Sequence, residues 1–166
     1  MNTRVYLVLV VLAALWCLGI VVAPALHAEY PEISSGVYRC YAPICHQIEG
    51  RSFHLFGAKL AVCSRCSSIY LSFFISLLLL PLVRDLSALR VPRRSWVLLA
   101  VLPMVIDVGL TLTGLYASSP LMRALTGGLF GLILPLYIVP PLLEGISQLR
   151  NQYIARGGFF YARKAQ

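Results

Sequence analysis

Four apolar runs in 166 residues leave this chain few ways to fold. They cover about 5–26, 62–83, 96–116 and 124–143, each near the roughly 20 helical residues that cross a hydrocarbon core about 30 Å thick. Lipid offers the backbone no hydrogen-bonding partner, so such segments cross as helices or as strands of a closed barrel. No ten-residue alternation of apolar and polar positions is present, and the barrel drops out. The prediction is an all-α membrane protein with four transmembrane helices, forming a single membrane domain over 1–166. Composition agrees: 59% of residues are hydrophobic and 12% charged, far from soluble averages.

The first run also resembles a signal peptide, with Arg4 ahead of an apolar core and Ala28 as a cleavage position. Its length and the bulky Leu26 favour an uncleaved helix. The second run is short between Ser67 and Val83, so its helix is expected to begin near Val62 and to carry Cys63 and Cys66 in its first turn.

A net charge of +8 would suggest a nucleic-acid partner in a soluble protein, but in a membrane chain basic residues report sidedness. Arg4, then Arg84, Arg90, Arg93 and Arg94, then Arg150, Arg156, Arg163 and Lys164 fall on one side. Arg39, Arg51, Lys59, Arg65 and Arg123 fall on the other, diluted by Glu29, Glu32 and Glu49. Both termini are therefore expected in the cytoplasm, with no nucleic-acid role. The basic, aromatic tail over 150–166, with Phe159, Phe160 and Tyr161, is expected either to fix topology or to lie on an anionic leaflet.

Four of the five cysteines cluster in the segment 38–66 between the first two spans: Cys40, Cys45, Cys63 and Cys66. Cys63 and Cys66 have the two-residue spacing that turns both sulfurs toward one ligand or toward each other. Cys45 with His46 supplies a second half, giving a tetrahedral site suited to zinc or iron. Adjacent side chains diverge, so Cys40 or His54 can stand in for His46. Thiol–disulfide exchange is a second chemistry, because a helix start and Arg65 favour a thiolate. A pair of disulfides, or a structural metal, that only pins the loop to the membrane surface is a third. Cys17, alone in the first span, reads as packing.

Inside the membrane, Asp107 stands mid-span and must be paired or hydrated. Arg123 is its expected partner, with Thr111, Thr113 and Thr126 assisting, and Arg51, Asp107 and Arg123 form the candidate polar or catalytic set. Gly127, Gly128 and Gly131 offer a small surface for close helix contact. Pro103, Pro135, Pro140 and Pro141 are expected to kink or end helices.

The runs CHQIEGRSF at Cys45 to Phe53 and VCSRCSSIYLSF at Val62 to Phe73, followed by Asp107 and by LMRALTGGLFG, resemble a family of small prokaryotic membrane proteins known as domain of unknown function 2085. Ser67 and Ser68 depart from the threonine and glycine usual there, and Val108 from a glycine. The resemblance implies that Cys45, His46, Gln47, Arg51, Ser52, Cys63, Arg65, Cys66, Tyr70, Asp107, Arg123 and Gly127 are the functional positions, and that the chain lies in the prokaryotic inner membrane. It implies no activity. The expected function is a membrane-embedded metal-binding protein with a Cys/His site at the outer surface. A thiol–disulfide or quinone-linked oxidoreductase is the alternative, and a noncatalytic accessory subunit of a larger membrane complex the third reading.

Overall fold

A computed structural model describes residues 3–83 and 91–164, with side chains placed as far as Gln152. Arg84 and Arg90 fall outside the described residues, and so do the side chains of the tail from residue 153 onward. Four helices are long and apolar enough to span: α1 (Thr3–Ala25), α3 (Ser64–Val83), α4 (Arg94–Leu112) and α5 (Pro120–Lys164). A fifth, α2 (Pro31–Tyr41), lies in the connection between the first two spans and had no counterpart in the sequence reading.

Cross-helix contacts give the directions. Tyr6 near the start of α1 donates its hydroxyl to the carbonyl of Leu77 near the end of α3. Arg65 at the start of α3 meets Asp107 near the end of α4. Tyr137 of α5 reaches the carbonyl of Arg93 just before α4, at 2.6 Å. Helices α3 and α5 instead run side by side in the same direction, since Gly127 lies over Arg65 and Gly131 over Ile69. The end of α1, the starts of α3 and α5 and the end of α4 thus share one end of the bundle.

The α3–α5 contact depends on missing side chains. A Cβ on Gly131 would fall 2.3 Å from the carbonyl of Ile69 and 2.2 Å from Ser72 Oγ, and one on Gly127 would fall 2.7 Å from the carbonyl of Arg65. Without a hydrophobic drive between helices in lipid, such close backbone approach is a main source of association. The outward faces remain apolar and exposed, as with Leu12, Leu78, Leu98 and Leu129, which suits contact with lipid.

The prolines do not end the helices. Pro103 lies within α4, and Pro135, Pro140 and Pro141 lie within α5. Carbonyls freed by proline are tolerated where neighbouring helices and local adjustments satisfy them. Helix α5 runs through its apolar span and on over polar residues to at least Gln152, 33 residues from Pro120. At 1.5 Å per residue that is about 50 Å, so its far end projects beyond the hydrocarbon.

The connection between α1 and α3 is folded rather than loose. Pro31 opens α2, with Glu32 in the first turn and Arg39 in the last, each favourable for the helix dipole. The fully buried Ser34 donates to the carbonyl of Ala23 at 2.8 Å, tying α2 to the end of α1. Tyr41 lies over Gly19, donates to the carbonyl of Trp16 at 2.6 Å and packs edge-on against the Trp16 ring. A two-stranded hairpin follows, β1 (His54–Leu55) with β2 (Ala58–Lys59). Its central residues Phe56 and Gly57 both have positive φ, the signature of a type I′ turn matched to strand twist. Beyond it, Ala61 donates to the carbonyl of Ile20 at 3.4 Å, and a buried cluster of Ile20, Ala23, Tyr41, Cys45, Ala61 and Val62 seats the whole segment on the bundle.

Candidate functional site

That seating brings Cys45, 18 residues upstream, against the start of α3. The Sγ atoms of Cys45, Cys63 and Cys66 lie within 4.8 Å of one another, with Cys45 buried and the other two half-buried. Cys63 immediately precedes α3, which begins at Ser64, so only Cys66 lies in the first turn as the sequence had suggested for both. This arrangement lets Cys63 keep a non-helical backbone while its N–H donates to Cys45 Sγ at 3.1 Å. The Cys66 thiol and the first backbone N–H groups of α3 lie beside Cys63 Sγ and favour its thiolate.

These contacts hold the Cys63 thiol down at about 5: hydrogen bonding with Cys66 leads, desolvation opposes it, and the backbone donors and Cys45 add to it. A lowered value means that the thiolate persists down to about pH 5, where the unfolded chain, with an ordinary thiol near 8.5, would already be protonated. In metal-free protein this contribution to stability is complete above about pH 8.5 and is lost as pH falls through about 5. Site-resolved alkylation should show the same midpoint, with the Cys63 rate level from pH 8 to 6 and falling about tenfold per unit below 5. A midpoint near 8.5 would contradict the geometry.

His46 is not in the sulfur group, because consecutive side chains diverge and it is Cys45 that turns to the helix. It does line the adjoining cavity. Gln47 follows with φ 51, uncommon for a residue with a side chain. That conformation is held at both ends: its amide donates to the carbonyl of Tyr38 at 2.7 Å, and its own carbonyl accepts from Lys59 Nζ at 2.9 Å. Cys40 is exposed on α2. His54 is turned to Glu49 at 3.0 Å, and Lys59 lies 3.2 Å from the same carboxylate, which hydrogen bonding from His54 first and Lys59 second holds below its usual range. All five cysteines are free, and no two lie at disulfide distance. Cys17 packs between α1 and α3, its thiol 3.4 Å from the carbonyl of Tyr70.

The expected Asp107–Arg123 pair is replaced by another. Asp107, 5% exposed, pairs with Arg65, which stands between the two cysteines. Asp107 lies only five residues before the end of α4 at Leu112, so it reaches the start of antiparallel α3. Arg123, 7% exposed, instead donates from Nε to the carbonyl of Ser118 at 3.2 Å. The threonines do not assist either group: Thr111, Thr113 and Thr126 return their hydroxyls to carbonyls of their own helices. The role of Arg65 was legible only as a cation beside a thiol pair, because its partner is 42 residues away.

Beside the sulfurs opens a cavity of about 180 Å³ lined by Ile44, Cys45, His46, Gln47, Ile48, Arg51, Cys63, Arg65, Cys66 and Arg123. Three sulfurs at one wall and three guanidinium groups around it are able to hold a soft metal ion, to present a thiolate, or to receive an anion.

The family described as "Predicted membrane protein (DUF2085)" matches residues 45–149, a stretch that begins at Cys45 and contains the three thiols, Asp107 and the three arginines. An uncharacterized protein of Methanocaldococcus jannaschii, MJ1492, is 33% identical over 149 residues, covering 86% of this chain and 96% of its own length. No solved structure matches.

Proposed function

The chain belongs to the DUF2085 family of predicted membrane proteins, and we propose that it holds one thiophilic metal ion, zinc or iron, on Cys45, Cys63 and Cys66. The observation that carries this is the approach of three sulfurs from two separate segments to within 4.8 Å of one another. Tetrahedral zinc thiolate bonds of about 2.3 Å require sulfurs about 3.8 Å apart, so a shift of about 1 Å or less completes the set. The N–H of Cys63 on Cys45 Sγ is the kind of supporting hydrogen bond that orients a thiolate ligand. His46, or a ligand drawn from the cavity, supplies a fourth position; Cys40 does so only if the end of α2 turns inward.

The distribution of arginines supports an inner-membrane location with both termini cytoplasmic and the sulfur site at the outer end of the bundle. Outside the cytoplasm a bound metal also explains why three neighbouring thiols would stay unoxidised. A redox reading has one observation in its favour, the low-lying Cys63 thiol beside Cys66.

Elemental analysis of the purified chain, combined with thiol counting before and after reduction, separates the two readings. The metal reading expects one zinc or iron per chain, and a chelator should raise the count of reactive thiols by up to three. Metal-free protein containing a reducible Cys63–Cys66 disulfide would sink it in favour of the oxidoreductase.

A further inference from the structure

We propose that the cavity beside the thiols binds a small oxyanion, gripped by Arg51, Arg65 and Arg123. Guanidinium groups cannot shed their charge in a protein, so each must find negative charge or water. Among the described residues Asp107 is the only carboxylate in an ion pair with any of the three, and that pair is with Arg65. Three cations against the Asp107 carboxylate and the Cys63 thiolate leave an excess of one positive charge. A divalent ion held by three thiolates carries the same single negative charge and would leave that excess in place.

Arg123 makes the case sharpest. It is 7% exposed within a spanning helix, and its hydrogen bond to a protein acceptor is the one from Nε to the carbonyl of Ser118. A buried guanidinium near the start of α5 with most of its donors unspent is expensive, and an anion in the cavity it lines would offset that cost. Arg65 adds a buried Nε with no partner, its other edge being turned to Asp107. Arg51, exposed in the turn after Glu49, closes the rim. At about 30 Å³ per water, a cavity of about 180 Å³ holds a tetrahedral oxyanion with part of its hydration. Planar forks from several directions match phosphate, sulfate or carboxylate oxygens, which accept two hydrogen bonds at once. Because the site lies at a membrane-facing end of the bundle, that chemistry can come from a dissolved ion or from a lipid headgroup.

The test uses full-length protein in a neutral detergent, at ionic strength fixed with chloride, titrated calorimetrically with inorganic phosphate. One saturable site per chain is expected, weakened at least tenfold in R51Q and in R123Q and by less than twofold in R39Q, which lies on α2 away from the cavity. Should R123Q not fold, R51Q at its exposed position carries the test. A soluble short-chain phosphatidic acid competing at least tenfold more tightly than phosphate identifies a headgroup as the source; equal or weaker competition identifies the dissolved ion, and either upholds the site. Chelator-stripped and zinc-loaded samples are titrated separately. Binding in stripped protein supports the arginine site even where the metal reading fails. Absence of saturable binding, equal affinity in wild type, R51Q and R123Q, or binding confined to zinc-loaded protein would each overturn the proposal.

Discussion

Asp107→Asn is expected to destabilise the folded bundle by about 3 kcal/mol, the lower end of the range of about 3–5 kcal/mol for breaking a buried ion pair. The carboxylate is 4% exposed and its partner Arg65 22% exposed, so the cost falls on leaving Arg65 charged and unpaired, softened by its access to the cavity. In reversible unfolding in mixed micelles this is a change of roughly a hundredfold in the unfolding constant. Replacing both residues by apolar ones, Arg65→Met with Asp107→Leu, should recover stability to within about 1 kcal/mol, because the charged remainder is gone. A double-mutant cycle then reports the coupling directly. A coupling below about 0.5 kcal/mol would mean that the two side chains do not interact, and Arg123 would return as the partner.

The second large effect is expected at Gly131. Even alanine there would place a Cβ 2.3 Å from the carbonyl of Ile69, and a backbone oxygen in a helix cannot move aside as a side chain can. The only relief is separation of α3 from α5, so Gly131→Ala should cost about 3 kcal/mol, the upper end of overpacking penalties, and Gly131→Leu more. Gly128 provides the contrast, since a Cβ there meets nothing within 4 Å. Gly128→Ala should be neutral or stabilising by up to about 1 kcal/mol, the difference in helix propensity between the two residues. Equal effects at both positions would show that the glycines do not set the interhelical distance. Because Gly127 lies over Arg65 at the same interface, a displaced α5 also carries Arg123 away from the thiols, linking helix packing to the site.

Both effects bear on what could be read from the chain alone. The spans were legible because hydrophobic length is a local property and the bilayer imposes the same requirement on every residue of a crossing helix. The pairing of Cys63 with Cys66 was legible for a similar reason: two residues of spacing at a helix start bring two sulfurs together whatever else the chain does. The glycines of α5 announced a close contact without naming its partner. No periodicity within Gly127 to Gly131 encodes that Ile69 and Ser72 lie opposite.

The connection between the first two spans was the least legible part, and the reason is physical. Helix α2 carries an amphipathic pattern in its 11 residues, but its place depends on the Ser34 hydroxyl on Ala23, on Tyr41 over Gly19 and on Val37 and Tyr38 against the buried cluster, partners that the pattern does not name. Once α2 and the hairpin are seated, Cys45 enters the sulfur group while His46, one residue later, faces the cavity. The sequence could propose both residues as ligands, and only the direction of the folded backbone distinguishes them.

Hydropathy and spacing by themselves determined the helical class, the four crossings and the thiol pair at the mouth of α3, since each follows from forces acting within about twenty residues. Tertiary structure alone decided that Cys45 completes a group of three sulfurs, that Arg65 rather than Arg123 answers Asp107, and that three arginines surround one cavity. Charges and sulfurs in a bundle are partnered by helix direction and by the heights at which helix ends meet. Those heights are set by contacts such as glycine on a backbone carbonyl, which span 62 residues between Arg65 and Gly127.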